Sequence, residues 1–447
     1  MSYQKGFRYP RRQFVRFAAS ASASALAAPF VIGKAGAAKP KTLKILQWNH
    51  FVPAFDAWFN NSYIKEWGAK NDTKVIVDNV GMSSLRSRAQ AEMEARQGHD
   101  LIMFLSPPPI FEDYVIDHRE IYEECERLYG KPLDIAKKSN YNPKTKKYYG
   151  FSDSYVPDPI NYRSDLWQDV GIHPNTWDDI RKGARLIKQK HGIPAGIGLA
   201  PELDTNMALR SLLAAFGASV QNADGAPEFK SPQAVEAVKF ISALYKETMT
   251  DEVFAWDPSS NNRMMLAGRG SITLNAISIT RTGESQKIPI HSNIALAPPA
   301  AGPVRRIGLY HLLDVYCIWN FAKNISGAKQ FLVDLVGQSQ KIFEASRFYN
   351  FPCFPKMVPD LKKLVSKDTS ASPTDKYKLF ENVTDWTTNV GYPGYSNAAT
   401  DEIFSSWLLS NAIADAARGK LSAAEAVERA DREIRAVYAK WRERGKV

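Results

Sequence analysis

Apolar positions along the first hundred residues follow two periods in turn. TLKILQW at 42–48 reads as a strand, and 54–70 follows with Phe55, Trp58, Phe59 and Ile64 at helical spacing. A second strand is predicted at 73–77. The helix LRSRAQAEMEARQ comes after it, with Ser83 or Ser84 as its cap and Gly98 as the left-handed residue that ends it. DLIMFL at 100–105 is a short apolar run, the pattern of a strand buried on both faces. Strand, helix, strand, helix, strand implies a parallel sheet with right-handed crossovers.

The pattern returns downstream. Thr176, followed by Asp178 and Asp179, starts a helix, and 195–200 reads as a strand. Ser231-Pro232 opens a helix with Val235, Val238, Ile241 and Tyr245 on one face, and strands are predicted at 271–277 and 294–297. After Gly308, 312–321 reads as one long buried strand and 326–336 as a helix. Residues 362–377 look like a polar connection. A helix over 401–418 stops at Gly419, and the capping box of Ser422 and Glu425 opens a last helix that reaches Trp441. The fold class is therefore α/β, with two lobes and a helical C-terminus.

Composition changes this picture at one end of the chain. The 447 residues are 44% hydrophobic and carry a formal net charge of +11. A chain of that length buries large cores and usually divides into two or more domains. Six basic residues and no acid lie in 1–37, so the remainder carries only +5. No stripe of Lys and Arg with interleaved aromatics remains, and a nucleic-acid partner is not expected. No later run reaches about 18 apolar residues, so no membrane span is expected either. Cys125, Cys317 and Cys353 are expected as buried thiols, with a disulfide between Cys317 and Cys353 as the open alternative.

In 1–37 a basic stretch with Lys5, Arg8, Arg11, Arg12 and Arg16 precedes a mild apolar run at 17–33. Lys34 and the small residues Ala35-Gly36-Ala37 follow. That order is the one an export signal has. Arg11-Arg12-Gln13-Phe14-Val15-Arg16 resembles the RR-x-F-L-K pattern of twin-arginine (Tat) signal peptides. The resemblance implies export by the twin-arginine machinery, cleavage near Ala37/Ala38 and a periplasmic mature protein.

Catalytic motifs are missing from the sequence: there is no C-x-x-C, H-E-x-x-H, G-x-S-x-G or P-loop. The seven histidines are scattered, with no pair at helical ligand spacing. The carboxylate pairs Asp178-Asp179 and Glu123-Glu124 sit at a helix start and on a solvated face. The reading favours binding over catalysis, with no catalytic residue, metal or cofactor expected; an exported hydrolase is the alternative.

Several stretches together resemble the extracellular solute-binding proteins of ABC importers, in the broad family that includes maltose- and oligosaccharide-binding proteins. Gly98-His99-Asp100-Leu101-Ile102 resembles the family's G-x-x-D-[LV]-[IV] strand. Tyr148-Tyr149-Gly150-Phe151-Ser152, Ile160-Asn161-Tyr162-Arg163-Ser164-Asp165-Leu166 and Gly171-Ile172-His173-Pro174-Asn175-Thr176-Trp177-Asp178-Asp179 follow in the family's order. So do Met264-Met265-Leu266-Ala267-Gly268-Arg269-Gly270 and Ala297-Pro298-Pro299-Ala300-Ala301-Gly302. The resemblance implies two lobes joined by chain crossings, 38–153 with 309–365 in one and 154–308 with 366–447 in the other. It also implies a monomer that traps a small solute as the lobes close and delivers it to permease subunits in the inner membrane. Sugar, oligosaccharide or polyol is the first ligand class by resemblance; an amine, polyamine or oxyanion is the alternative, and a sensory role in place of transport is another.

Ligand contacts are expected where strands end and where the chain crosses between lobes. Trp48, Asn49 and His50 follow the first strand, and Ser106 follows DLIMFL. A tryptophan face packs on the apolar face of a sugar, while Asn and His take hydroxyls. Asp153, Ser154 and Tyr155 lie on the first crossing, and Tyr310 and His311 beside the second. Trp256 and Asp257 form a candidate loop platform, with Trp256 as a hydrophobic anchor the competing reading. Asn275 ends SITLN, and Arg347 and Tyr349 precede Phe351-Pro352. Asp153, Asp158, Asp257 and Asp314 keep an amine ligand open.

Overall fold

A computed structural model describes residues 42–447. The basic stretch, the twin-arginine pattern and the cleavage site lie outside the described residues. In the first sheet, Thr42–Trp48 pairs in parallel with Lys74–Val80 on one side and Leu101–Phe104 on the other, and Val315–Ile318 adds antiparallel to Leu101–Phe104. All four residues of Leu101–Phe104 are buried, as its unbroken apolar run requires. Asp100, just before it, ties the layers: its carboxylate accepts the Lys44 N–H and the Asn324 N–H, each at 2.9 Å. The helix after the first strand runs Pro53–Trp58 and Ile64–Lys70 with a π turn, Phe59–Tyr63, between them. Phe55, Phe59 and Tyr63 stack from it toward Phe331.

The second sheet is antiparallel, with Ile160–Arg163 between Ile272–Leu274 and Ile294–Ala297. Trp177–His191, capped by Thr176 and Asp179, and Pro232–Thr248, capped by Ser231, pack their apolar faces into the same core as Leu203–Ala215, Leu408–Ala417 and Ala423–Glu443. Two large hydrophobic cores result, beside a small cluster of Met264, Met265, Ile279 and Ile294, and the chain passes between the large ones at 156–160, 307–309 and 390–398. At this waist Ser154–Val156 is flanked by Leu312–Leu313 and Phe351–Pro352, both antiparallel, while Gly308–Leu309 pairs in parallel with Thr387–Thr388. The molecule is thus a two-lobed α/β protein with a hinge of short strands.

Several expected elements differ, each for a local reason. Residues 195–200 form no strand, because their N–H groups go to three different partners: Ala195 to Thr248, Gly196 to Ile272 and Leu199 to Val253. The run 312–321 breaks at Asp314, with Leu312–Leu313 in the waist and Val315–Ile318 in the first sheet. The helix over 401–418 is two, Ala398–Ser405 and Leu408–Ala417, broken at Trp407. Leu85–Ala95 has no side-chain cap, and its left-handed residue is Arg96, at φ 48°. Gly98 serves close packing: an added Cβ would lie 2.3 Å from the Glu92 carboxyl group, which is held there by the His99 N–H. The connection at 362–377 contains the helix Leu361–Ser366. Beyond it Tyr377, Phe380 and Trp386 join the first core, where Phe380 lies 5.1 Å from Phe351; 366–447 was expected wholly in the second lobe. The three cysteines are free and buried.

Candidate functional site

The carboxyl ends of the first sheet's parallel strands face the start of Leu203–Ala215 and the turn at Trp407. Between them lies a cavity of about 290 Å3. Met82, Leu85, Phe104 and Ser106 form one wall; Pro201, Glu202, Leu203, Phe404 and Trp407 form the other, with Pro258 at its rim. Ligands in open α/β sheets bind outside the carboxyl ends of strands, and clefts between domains are common pockets. Trp407 is half-buried and sits at φ 60°, a conformation costly for a bulky residue, of order 1 kcal/mol or more. Directly beside the cavity the lobes are tied: Arg86 pairs with the buried carboxylate of Asp401, which also accepts the Ile110 N–H at 3.4 Å.

Two polar clusters occupy the waist. In the first, the Val52 N–H donates to His50 Nδ1 at 2.8 Å, so the ring proton sits on Nε2 and is donated to Asn350 Oδ1 at 3.0 Å. The Asn350 amide then donates to Asp314 Oδ2 at 3.0 Å, and the Ser154 hydroxyl lies 3.0 Å from that same oxygen and 3.1 Å from Asp153 Oδ2. Burial pulls His50 down to about 4, which keeps it neutral. Burial also raises Asp153 to about 7, and burial with the Asp153 charge raises Asp314 well above the carboxylate range. Both carboxyl groups of this cluster therefore keep their protons to higher pH than a free carboxylic acid does, and among the described residues no charged basic side chain pairs with them.

In the second cluster His311 Nδ1 lies 3.2 Å from Asp158 and Nε2 3.5 Å from Asp204. Burial works against the imidazolium, but Asp204 and Asp158 outweigh it and lift His311 to about 9. Asp204 also accepts from Asn261 at 2.6 Å, and Asn275 donates to Asn261 at 2.8 Å and to Asn262 at 2.7 Å. Glu202 caps Leu203–Ala215 by accepting the Asp204 and Thr205 N–H groups, and burial with the neighbouring Asp204 lifts it to about 8. Among the described residues no three His, Cys, Asp or Glu side chains converge in metal-binding geometry.

The model of the bacterial extracellular solute-binding proteins matches residues 53–333. The chain belongs to this family. Among curated relatives, two proteins of Brucella abortus strains and one of Brucella suis, all named provisionally as binding proteins, are 24% identical over 182 residues. That stretch covers 40% of this chain and 44% of each relative, so the chain spans less than half the length of the relatives it matches. Among solved structures, maltose-bound MalE3 of T. maritima superposes with TM-score 0.73 at 17% identity, over 88% of this chain and 99% of that one. A sugar transporter of Arthrobacter chlorophenolicus A6 with bound laminaribiose gives 0.72 at 14%, over 89% and 99%. These structures share the two-lobed fold. The family is one of binding proteins rather than enzymes, and among the described residues no helix is long and apolar enough to cross a membrane.

On this solute-binding frame the residues singled out from the sequence fall into separate groups. Ser106 lines the interlobe cavity. His50, Asp153 and Ser154 meet in the first waist cluster, and His311 and Asn275 are linked through Asp204 and Asn261 in the second. Trp48 does not offer the stacking face expected of it: the ring is 2% exposed, packed on His50 and Phe51 at 4.9 and 5.3 Å. Asn49 is exposed, beside Asn79 and Arg88 in a shallow pocket. Tyr155 packs on Phe351, and Tyr310 is fully buried with its hydroxyl 3.3 Å from Ser139 Oγ. Trp256 is an anchor more than a platform, its ring edge lying where a side chain on Gly196 would stand. Asp257 is exposed and paired with Arg263 at 2.9 Å.

Trp407, Glu202 and Asp204 were not singled out. Glu202 and Asp204 follow the extended segment 195–200, so the rule applied to Trp48, residues just past a strand end, points to them as well. Trp407 carried a weaker signal, a Ser405-Ser406 pair interrupting an apolar helical pattern.

Proposed function

We propose that this chain is the solute receptor of an ABC importer, exported by the twin-arginine pathway, which captures a sugar, oligosaccharide or polyol between its lobes and delivers it to a membrane permease without turnover. The observation that carries this reading is the interlobe cavity: an apolar wall with a half-buried tryptophan in a strained turn and Glu202 beside it, faced by Ser106 at the carboxyl end of a strand of the opposite lobe. An indole face and a few hydroxyl partners suit a sugar ring. The sugars in the related structures support the same class. Closure follows if ligand binds the closed arrangement better than the open one, with the short waist strands as hinges.

A second reading, a ligand carrying an amine, is favoured by one observation: Asp158, Glu202 and Asp204 lie together, and among the described residues His311 is the one cation paired with Asp158 and Asp204. A cation entering there lowers the carboxyl pKa values and expels protons, whereas a neutral sugar does not.

Thermal-shift and calorimetric screening of residues 38–447 against saccharides, polyols, amines and oxyanions tests both. A ligand at about 100 times its dissociation constant adds about 2.7 kcal/mol of stability. Saccharides raising the midpoint, unconsumed and with a binding heat independent of buffer ionisation enthalpy, support the first reading. A buffer-dependent heat with an amine transfers the case to the second, and consumption of the hit replaces both with an enzyme.

A further inference from the structure

The interlobe cavity holds few free hydrogen-bonding groups for a sugar. Nine of its fourteen lining residues are apolar, among them Met82, Leu85 and Phe104 on one wall and Leu203, Phe404 and Trp407 on the other. Three of the five polar residues are already engaged. Both Glu202 carboxyl oxygens accept from the start of Leu203–Ala215, Oε2 from the Asp204 N–H at 2.7 Å and Oε1 from the Thr205 N–H at 2.6 Å. Arg86 pairs through Nη2 with Asp401, and its Nη1 is closed to solvent. The Ser405 hydroxyl donates to the Asp401 carbonyl at 2.8 Å. That leaves the hydroxyls of Ser83 and Ser106, which make no hydrogen bond among the described residues.

A pyranose carries hydroxyls around its whole rim, and each one buried without a partner is unfavourable. Two serine hydroxyls and one indole face satisfy one side of one such ring. The remaining walls offer hydrocarbon, aromatic and proline surface, where binding gains by removing apolar area from water. Size points the same way. The cavity of about 290 Å3 is about twice the roughly 150 Å3 in which a benzene fits. It therefore has room for two ring-sized groups and polar partners for one.

We propose that the solute is an aryl glycoside: a single sugar ring held between Trp407 and Ser106, joined to an apolar aromatic ring that lies on Met82 and Leu85. The inference rests on the carbohydrate reading above and narrows it. In a disaccharide the second ring would set its hydroxyls against hydrocarbon, whereas an aryl ring there needs no polar partner.

Calorimetry of residues 38–447 with matched probes tests it: the phenyl α- and β-glycosides of the common hexoses and pentoses, the methyl glycosides of the same sugars, and free disaccharides. At least one phenyl glycoside should bind about tenfold or more tightly than its methyl partner. That ratio should shrink by about threefold or more in Met82→Gln, which puts an amide on a half-buried position of a short surface turn. Phenyl and methyl partners of equal affinity, or a disaccharide bound more tightly than any phenyl glycoside, overturn the inference and leave the carbohydrate reading standing. A ratio unchanged in folded Met82→Gln overturns the placement of the aryl ring. Binding by no glycoside and no disaccharide overturns the carbohydrate reading and this inference with it. The wild-type pairs decide the solute class even if the variant fails to fold.

Discussion

Trp48 and Trp407 both stand where a regular element ends beside the space between the lobes, yet their surroundings are opposite. Trp48 closes Thr42–Trp48 and is packed on His50 and Phe51 until almost none of it is exposed. Trp407 interrupts two helices in a left-handed turn and keeps part of its ring on the cavity. The first is fixed by neighbours that satisfy it. The second holds a costly backbone conformation and keeps surface uncovered, the combination that marks a residue retained for contact with something else.

The largest expected effects separate the two. Trp48→Ala removes a full core ring and should cost about 3–5 kcal/mol in urea denaturation. Trp407→Ala should leave the denaturation midpoint within about 1 kcal/mol of wild type and weaken ligand binding by about tenfold or more in calorimetry. If Trp407→Ala melts as Trp48→Ala does, or binds ligand normally, the contrast between the two tryptophans collapses.

That contrast also marks how far the sequence was legible. Strands at 42–48 and 294–297 and the caps at Thr176, Ser231 and Ser422 rest on local chemistry, period and side-chain-to-backbone bonds, and these stand in the structure as read. The breaks at Asp314 and Trp407 depend on which sheet or lobe the next residue joins. Neither the apolar run of 312–321 nor the helical period of 401–418 encodes that choice. The site follows the same division. Ser106, on the cavity wall, is legible as the residue past a strand end, whereas the pairing of His311 with Asp204 joins residues from different lobes and leaves no local pattern.

The next sharpest test compares the two buried histidines, which titrate in opposite directions. His311 has its pKa raised to about 9. Its contribution is present in full below the unfolded value of about 6.5 and is lost as pH rises through 9. His50 is lowered to about 4 by burial, so the unfolded chain takes up its proton first as pH falls below 6.5 and stability is lost toward 4. Stability of wild type minus His311→Gln should therefore fall across pH 6.5–9, on the order of 2 kcal/mol, while wild type minus His50→Gln should fall as pH drops from 6.5 to 4. Difference curves sloping the same way would mean the ion pair at His311 is not formed.

The smallest expected effect lies between the two clusters, at Tyr349. Its ring meets His50 edge-on at 5.0 Å, its hydroxyl is fully buried without a partner, and burial together with Asp204, Asp314 and Asp158 holds its proton on. Two successive residues before it, Arg347 and Phe348, adopt positive φ of 52° and 64°. Phe348 is kept there by stacking on Phe343 at 4.7 Å, and the Arg347 carbonyl by the Arg281 Nε–H at 2.7 Å. The turn therefore delivers an unsatisfied hydroxyl to a place where leaving it unmade costs about 1–3 kcal/mol. Tyr349→Phe removes that hydroxyl without a void, so the empty protein should be as stable as wild type or more so by up to about 1 kcal/mol in urea denaturation. A loss of more than about 1 kcal/mol would show that the hydroxyl already has a partner, and the waist would then be as closed at Tyr349 as it is at Trp48.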